Sequence, residues 1–204
     1  KDIESVKSVS NVKFVAPIMT LSGSITGESA APNNSVIIAT SQDLAEISDL
    51  KMNHGQFLDS STNRSTAVLG TPLSRSVFGT DDSIGRQVVI RGKTFTVVGV
   101  IDEIGETLNF NSIDYNNAAF ITFADGKEIN NKSTQIQQID VQVSTTSDLA
   151  KASTAINNAL KENHGGENDF ELLSGKEISK ATNETFYIVV GITTAIASIS
   201  IIVG

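Results

Sequence analysis

The triplet Gly92-Lys93-Thr94 is the group in this chain that most invites a chemical reading, because Gly-Lys-Thr ends a phosphate-binding loop. That loop needs a further glycine five residues before the first of these, and position 87 is Gln. The triplet also falls where a hairpin turn is expected, so no nucleotide site is read here. His54 and His164 are the only histidines. A two-histidine metal site would need carboxylate help and close approach, and the two fall in different parts of the chain. Structural roles are expected for both. His164 lies in the last turn of a helix, where a cationic or polar group suits the unpaired carbonyls, and His54 sits in a turn before Gly55. Asp81-Asp82 and Asp102-Glu103 are adjacent carboxylates in turns; glycosidase or metal chemistry would require them to converge with partners far along the chain. They read as solvated turn residues. Serines are many, but there is no Gly-x-Ser-x-Gly motif and no histidine near them. Asn33-Asn34-Ser35 and Asn183-Glu184-Thr185 match the glycosylation triplet, a pattern too common to carry weight. No residue is expected to be catalytic, cofactor-binding or metal-ligating, and the domain is not expected to be an enzyme.

Composition narrows the classes further. Apolar residues are 39% and charged residues 19% of 204 residues, which suits a folded domain with a sizeable core. The formal net charge of −8, with no basic run, sets nucleic acid aside, since phosphate binding needs concentrated Lys and Arg. There is no cysteine, which excludes disulfides, thiolate metal sites and a Cys nucleophile together. The start, Lys1-Asp2-Ile3-Glu4, has no apolar stretch behind a basic cluster and does not read as a signal peptide.

From Phe186 to Gly204 run nineteen residues without a charge. As a helix they would extend roughly 28 Å at about 1.5 Å per residue, close to the hydrocarbon thickness of a bilayer. Gly, Ser and Thr recur in the run, as they do where membrane helices pack closely. It is expected to be a transmembrane helix that continues past Gly204; the competing reading is a buried core helix or strand.

The elements that would position these groups can be read in order. Ile3, Val6 and Val9 repeat at helical spacing, and Val12, Phe14, Ala16 and Ile18 share one face of a strand. After a polar loop from Ser22 to Asn34 come a buried strand, Ser35 to Ala39, and a helix with Leu44, Ile47 and Leu50 on one side, capped by Thr40 or Ser41. Thr71-Pro72 opens a short helix that ends before Gly79. Gln87 to Arg91, a Gly92-Lys93 turn and Thr94 to Ile101 form a hairpin, with Phe95 and Val97 on one face and Val98 and Val100 on the other. Asp102 to Asn117 reads as a loop open to a partner role or a surface role. Ala118 to Phe123 is a strand, and polar Asp125 to Thr134 a link. Ile136, Ile139, Val141 and Val143 mark another strand. A helix carrying Leu149, Ala152, Ile156 and Leu160, capped by Thr146 or Ser147, ends at Gly165-Gly166. Phe170 to Leu173 is a last strand, and Ser174-Gly175-Lys176-Glu177 has a capping-box pattern that starts a helix running into the apolar segment.

Five stretches carry a resemblance to a known family: Gly55-Gln56-Phe57-Leu58; Val68-Leu69-Gly70 with Val77-Phe78-Gly79; Ile84-Gly85-Arg86; Phe95-Thr96-Val97-Val98-Gly99-Val100; and Leu160-Lys161-Glu162-Asn163-His164-Gly165 with Asp169-Phe170. In this order they resemble the periplasmic core domain of MacB-type ABC-transporter permeases, in the MacB/FtsX-like superfamily. The apolar run ending Ser200-Ile201-Ile202-Val203-Gly204 resembles the start of that family's second membrane helix. The resemblance implies an α+β fold: a porter-like α/β subdomain in two parts (1–50 and 133–174), split by an inserted β-rich, sabre-like subdomain (51–132). A stalk and truncated transmembrane helix (175–204) would follow. It implies a domain on the extracytoplasmic side of the cell (inner) membrane, anchored through Phe186 to Gly204. Its partners would be a second permease, in a homodimer or heterodimer, and a cytoplasmic ATP-binding subunit or domain that carries the ATPase activity. Some members also engage a periplasmic adaptor protein and an outer-membrane channel. Function would be export of antimicrobial peptide, drug or lipoprotein-like substrates by mechanotransmission. Two alternatives stand beside it: an FtsX-like permease domain regulating a cell-wall hydrolase, and a membrane-anchored ligand-binding sensor domain.

Overall fold

The computed structural model describes residues 1–61, 64–105, 113–145, 148–174 and 187–191. Five helices are described: α1 (Asp2–Lys7), α2 (Asp43–Ile47), α3 (Thr71–Phe78), α4 (Phe123–Ile129) and α5 (Leu149–Asn163). The strands are β1 (Val12–Leu21), β2 (Ile25–Thr26), β3 (Val36–Thr40), β4 (Met52–Gly55), β5 (Thr66–Gly70), β6 (Gln87–Ile90), β7 (Lys93–Ile101), β8 (Ala118–Thr122), β9 (Gln138–Val143), β10 (Glu171–Ser174) and β11 (Tyr187–Gly191). They form one 11-stranded mixed sheet in the order β10-β11-β9-β1-β3-β8-β5-β7-β6-β2, with β4 also on β7. Only β3–β8 and β5–β7 are parallel. The α+β class expected from the sequence is the class observed.

β1 joins the two halves of this sheet. It pairs with β9 along most of its length, but with β3 only from Met19 to Leu21. Near Val15 side chains take over from the β3 ladder: the Asp43 carboxylate accepts from Val15 N at 3.1 Å, and the Ser41 hydroxyl donates to Val15 O at 3.1 Å. Ser41 is therefore spent on β1, and α2 has Gln42 at its N-cap with no side-chain cap, contrary to the expected Thr40 or Ser41. A register shift between Val12 and Phe14 also corrects the expected single face. Val12 joins Val15 against α1 and α5, whereas Phe14, Ala16 and Ile18 pack on the opposite side with Leu44 and Ile47 of α2.

The hairpin turn is one residue earlier than expected. Arg91 (φ 50°) and Gly92 (φ 84°) both adopt left-handed geometry, and Lys93 opens β7. Two positive φ values match the right-handed twist of the flanking strands, so the turn chemistry favours Arg91-Gly92 over Gly92-Lys93. A second register shift, at Ala67/Val68 against Val97 and Gly99, moves Val100 onto the face of Phe95 and Val97. Val98 stays on the other.

Two further expectations change. Residues read as a polar link contain α4, started by Thr122, whose hydroxyl accepts from Asp125 N at 3.1 Å. Thr122-x-x-Asp125 is a capping-box variant that the polar composition masked. Gly126, which lowers helix propensity, lies against Ala39 and Met19, so the helix sits close to the sheet. Tyr187–Gly191, expected to begin a membrane helix, are instead β11, inserted antiparallel between β9 and β10. Tyr-Ile-Val-Val suits a central strand as well as it suits lipid, and an apolar run alone does not separate the two. The capping-box helix expected after Ser174 and the rest of the apolar run lie outside the described residues, as do the Thr146 and Ser147 caps. Among the described residues no helix is long and apolar enough to cross a membrane.

Candidate functional site

Lys93 takes a structural part. Its ammonium meets Asp125 Oδ1 at 2.7 Å and Glu128 Oε2 at 2.6 Å. Asp125 in turn accepts from the hydroxyls of Ser65 (3.1 Å) and Thr122 (2.7 Å). Burial alone would lower the lysine's pKa, but the two carboxylates hold it above its ordinary value. The triplet that suggested a phosphate loop thus begins a strand and fastens the hairpin to α4. This polar knot lines a cleft of about 1350 Å³, which Lys7 of α1, Pro17 of β1, Arg64 and Lys127 also line.

The acidic doublets are brought together by a residue the sequence reading passed over. Arg75, on α3, donates through Nε and Nη2 to Asp81 and through Nη1 to Glu103 at 3.3 Å. One member of each doublet shares this guanidinium. The other members hold their own turns: Asp82 accepts from Ile84 N, and Asp102 from Glu103 N. All of this is exposed, so it organises loops without adding much stability. His54 stands on β4 opposite Val100. His164 stands at the end of α5 between Asp2 and Asp169. The two histidines have different surroundings.

A buried polar group went unforeseen. Asp140, on β9, is buried, and Gln138 Nε2 donates to its carboxylate. Burial pushes its pKa up to about 6, opposed by the Gln138 hydrogen bond. Burial, and next the Asp140 charge, also raise Tyr115, whose ring stacks edge-on against Phe120 at 5.5 Å. Along β9, Asp140 and Gln142 alternate with Ile139, Val141 and Val143, and α2 packs against the strand. The part of the Asp102 to Asn117 loop from 106 to 112 lies outside the described residues. Its ends are pinned by Asn116, which accepts from Ile104 N (2.8 Å) and donates to Ile104 O (2.7 Å). Asn33 and Asn34 are exposed in a loop, and Asn183-Glu184-Thr185 falls outside the described residues.

Among the described residues no three His, Asp or Glu side chains are grouped to hold a metal ion. Among the described residues these polar clusters join elements to one another.

Comparison with known proteins places the chain in a family. The model of the MacB-like periplasmic core domain matches residues 1–159. An uncharacterized ABC transporter permease of Methanocaldococcus jannaschii is 26% identical over 150 residues, covering 74% of this chain and 36% of that protein. The macrolide export ATP-binding/permease protein MacB of Wolinella succinogenes is 22% identical over 208 residues, covering 100% of this chain and 32% of that protein. The chain therefore spans about a third of the length of these relatives. The crystal structure of the periplasmic region of MacB from Actinobacillus actinomycetemcomitans superposes with a TM-score of 0.68 at 18% identity, over 80% of this chain and 73% of that one.

Proposed function

Because this chain belongs to the MacB-like periplasmic core domain family, we propose that it is the extracytoplasmic, force-transmitting domain of an ABC export permease. ATP hydrolysis is then carried out by a cytoplasmic subunit or domain, and two permeases work as a dimer. Residues 1–50 and 133–174 act as the porter-like unit and 51–132 as the inserted lobe, a division supported by the long β1–β9 pairing between its two outer parts. The part of the uncharged run that follows β11, from 192 to 204, is the tether toward the membrane.

The observation that carries this reading is the place of β11. The sheet's strand between β9 and β10 is drawn from the start of the uncharged run. Backbone hydrogen bonds running along several residues resist sliding, so a pull on that run is delivered to β9 and through it to β1. The test is an insertion of Gly-Ser-Gly between Gly191 and Ile192 in the full permease. Glycine frees the backbone, so the insertion makes the joint between β11 and the rest of the run compliant. Assembly and ATP hydrolysis should stay near normal while export is lost. A matched insertion after Asn131, at the end of α4, should do far less. Export equal to the parent's would sink the transmission mechanism and favour a static docking module, the class to which the sensor alternative belongs.

A further inference from the structure

Both ring nitrogens of His164 face carboxylate oxygens that come from opposite ends of the domain. Nε2 lies 3.3 Å from Asp2 Oδ2 in α1, and Nδ1 is in close contact with Asp169 Oδ1, just before β10. The ring is mostly buried, with 16% of its side chain exposed, and Phe170 stacks edge-on against it at 5.8 Å. Asp2 is further held by Asn163, whose Nδ2 donates to Asp2 Oδ1 at 2.9 Å and to the Ser5 hydroxyl at 2.9 Å. Lys1 reaches Asn163 O at 3.4 Å. The end of α5, the start of α1 and the segment leading into β10 therefore meet on one imidazole.

A neutral imidazole carries a single N–H, whereas the imidazolium carries two. With a carboxylate at each nitrogen, the neutral ring would turn a lone pair toward one of the anions. The arrangement fits the charged ring alone. We propose that His164 is a proton-operated clasp that couples the incoming helix α1 to the outgoing strand β10. The groups facing it are Asp2 from α1 and Asp169 from the segment before β10; Lys1 lies nearby on Asn163 O, Lys161 and Glu162 precede it on its own helix, and Glu167 follows in the turn. Burial alone would depress the histidine's pKa, but hydrogen bonds to Asp169 and then Asp2 raise it above the ordinary 6.5. A folded-state value above the unfolded one means that the clasp is complete below about pH 6.5 and weakens as pH rises through the raised value. On the reading above, the clasp would link the two ends of the domain through which force passes, on the side of the membrane where the cell does not buffer pH. Its test does not depend on transport.

Hydrogen–deuterium exchange is measured on the full chain in mild detergent, near pH 5.5 and near pH 8.5, with rates corrected for the intrinsic pH dependence. Amides of α1 and of residues 167–174 should exchange several-fold faster at the higher pH, as the loss of the charged ring's two hydrogen bonds implies. Amides of β5 should not change. His164→Gln should exchange fast at both pH values, and Asp169→Asn should show a reduced response. Equal protection of the wild type at both pH values overturns the proposal, as does a His164→Gln variant that keeps the wild-type response. Should His164→Gln fail to fold, the ring resonances of the wild-type histidine decide: a titration above 6.5 supports the clasp, and one at or below it overturns the clasp.

Discussion

Gly55 and Gly99 are paired partners across the β4–β7 ladder, and neither position has room for a side chain. A Cβ on Gly99 would come within 2.1 Å of the Gln56 carbonyl, and one on Gly55 within 2.2 Å of the Val98 carbonyl. Two of the stretches that carry the family resemblance, Gly55-Gln56-Phe57-Leu58 and Phe95 to Val100, are thereby two sides of one close backbone contact. Gly99→Ala should destabilise the fold by about 2 kcal/mol or more, because backbone atoms cannot yield as a flexible side chain can. Gly105→Ala, where a Cβ would meet nothing within 4 Å, is the control. Thermal melts of the two variants check this; equal midpoints would refute it.

The Lys93–Asp125 knot should be structural and nothing more. Asp125→Ala strips partners from Lys93, Ser65 and Thr122 together and should cost about 2 kcal/mol, whereas Lys93→Met should cost about 1 kcal/mol. Neither variant should alter nucleotide affinity, because calorimetry of the parent with Mg-ATP is expected to show no binding. Micromolar binding that Lys93→Met abolishes would restore the phosphate-loop reading.

Asp140 supplies the pH prediction that involves the core. Its folded-state pKa, about 6, lies above the ordinary 3.8, so the folded protein holds this proton more tightly than the unfolded chain does. Stability should therefore fall as pH rises from about 4 to about 6, and stay lower above that window. Asp140→Asn keeps an acceptor for Gln138 without the charge. It should raise stability by about 1–3 kcal/mol at neutral pH and remove that slope. Denaturant unfolding of both proteins at pH 4.5 and pH 7.5 tests the sign; an Asn variant less stable than the parent at pH 7.5 contradicts it.

Topology can be checked on intact cells. Cysteine placed at Asp82 or at Asn131, both exposed, should react with an impermeant maleimide before lysis. Labelling that requires lysis would reverse the proposed sidedness and remove the basis for an extracytoplasmic role.

Much of the local structure was legible from residue order. The period-3.6 apolar pattern of Leu149, Ala152, Ile156 and Leu160 defined α5, and Pro72 with Gly79 bracketed α3, because these signals act within one or two turns of chain. The order of the motifs pointed to the domain type without coordinates. What tertiary structure decided was which face and which partner. The register shifts in β1 and β7 moved Val12 and Val100 across the sheet, since one extra residue on a period-two strand reverses every later side chain. Arg75 gathered two acidic doublets twenty-one residues apart, and His164 found Asp2 at the far end of the chain. The burial of Asp140 was not legible, because strand alternation tells which residues share a face but not what packs over it. The same gap separates helix from strand at Tyr187–Gly191: an apolar, β-branched run satisfies either, and only the open edges of β9 and β10 made the strand available.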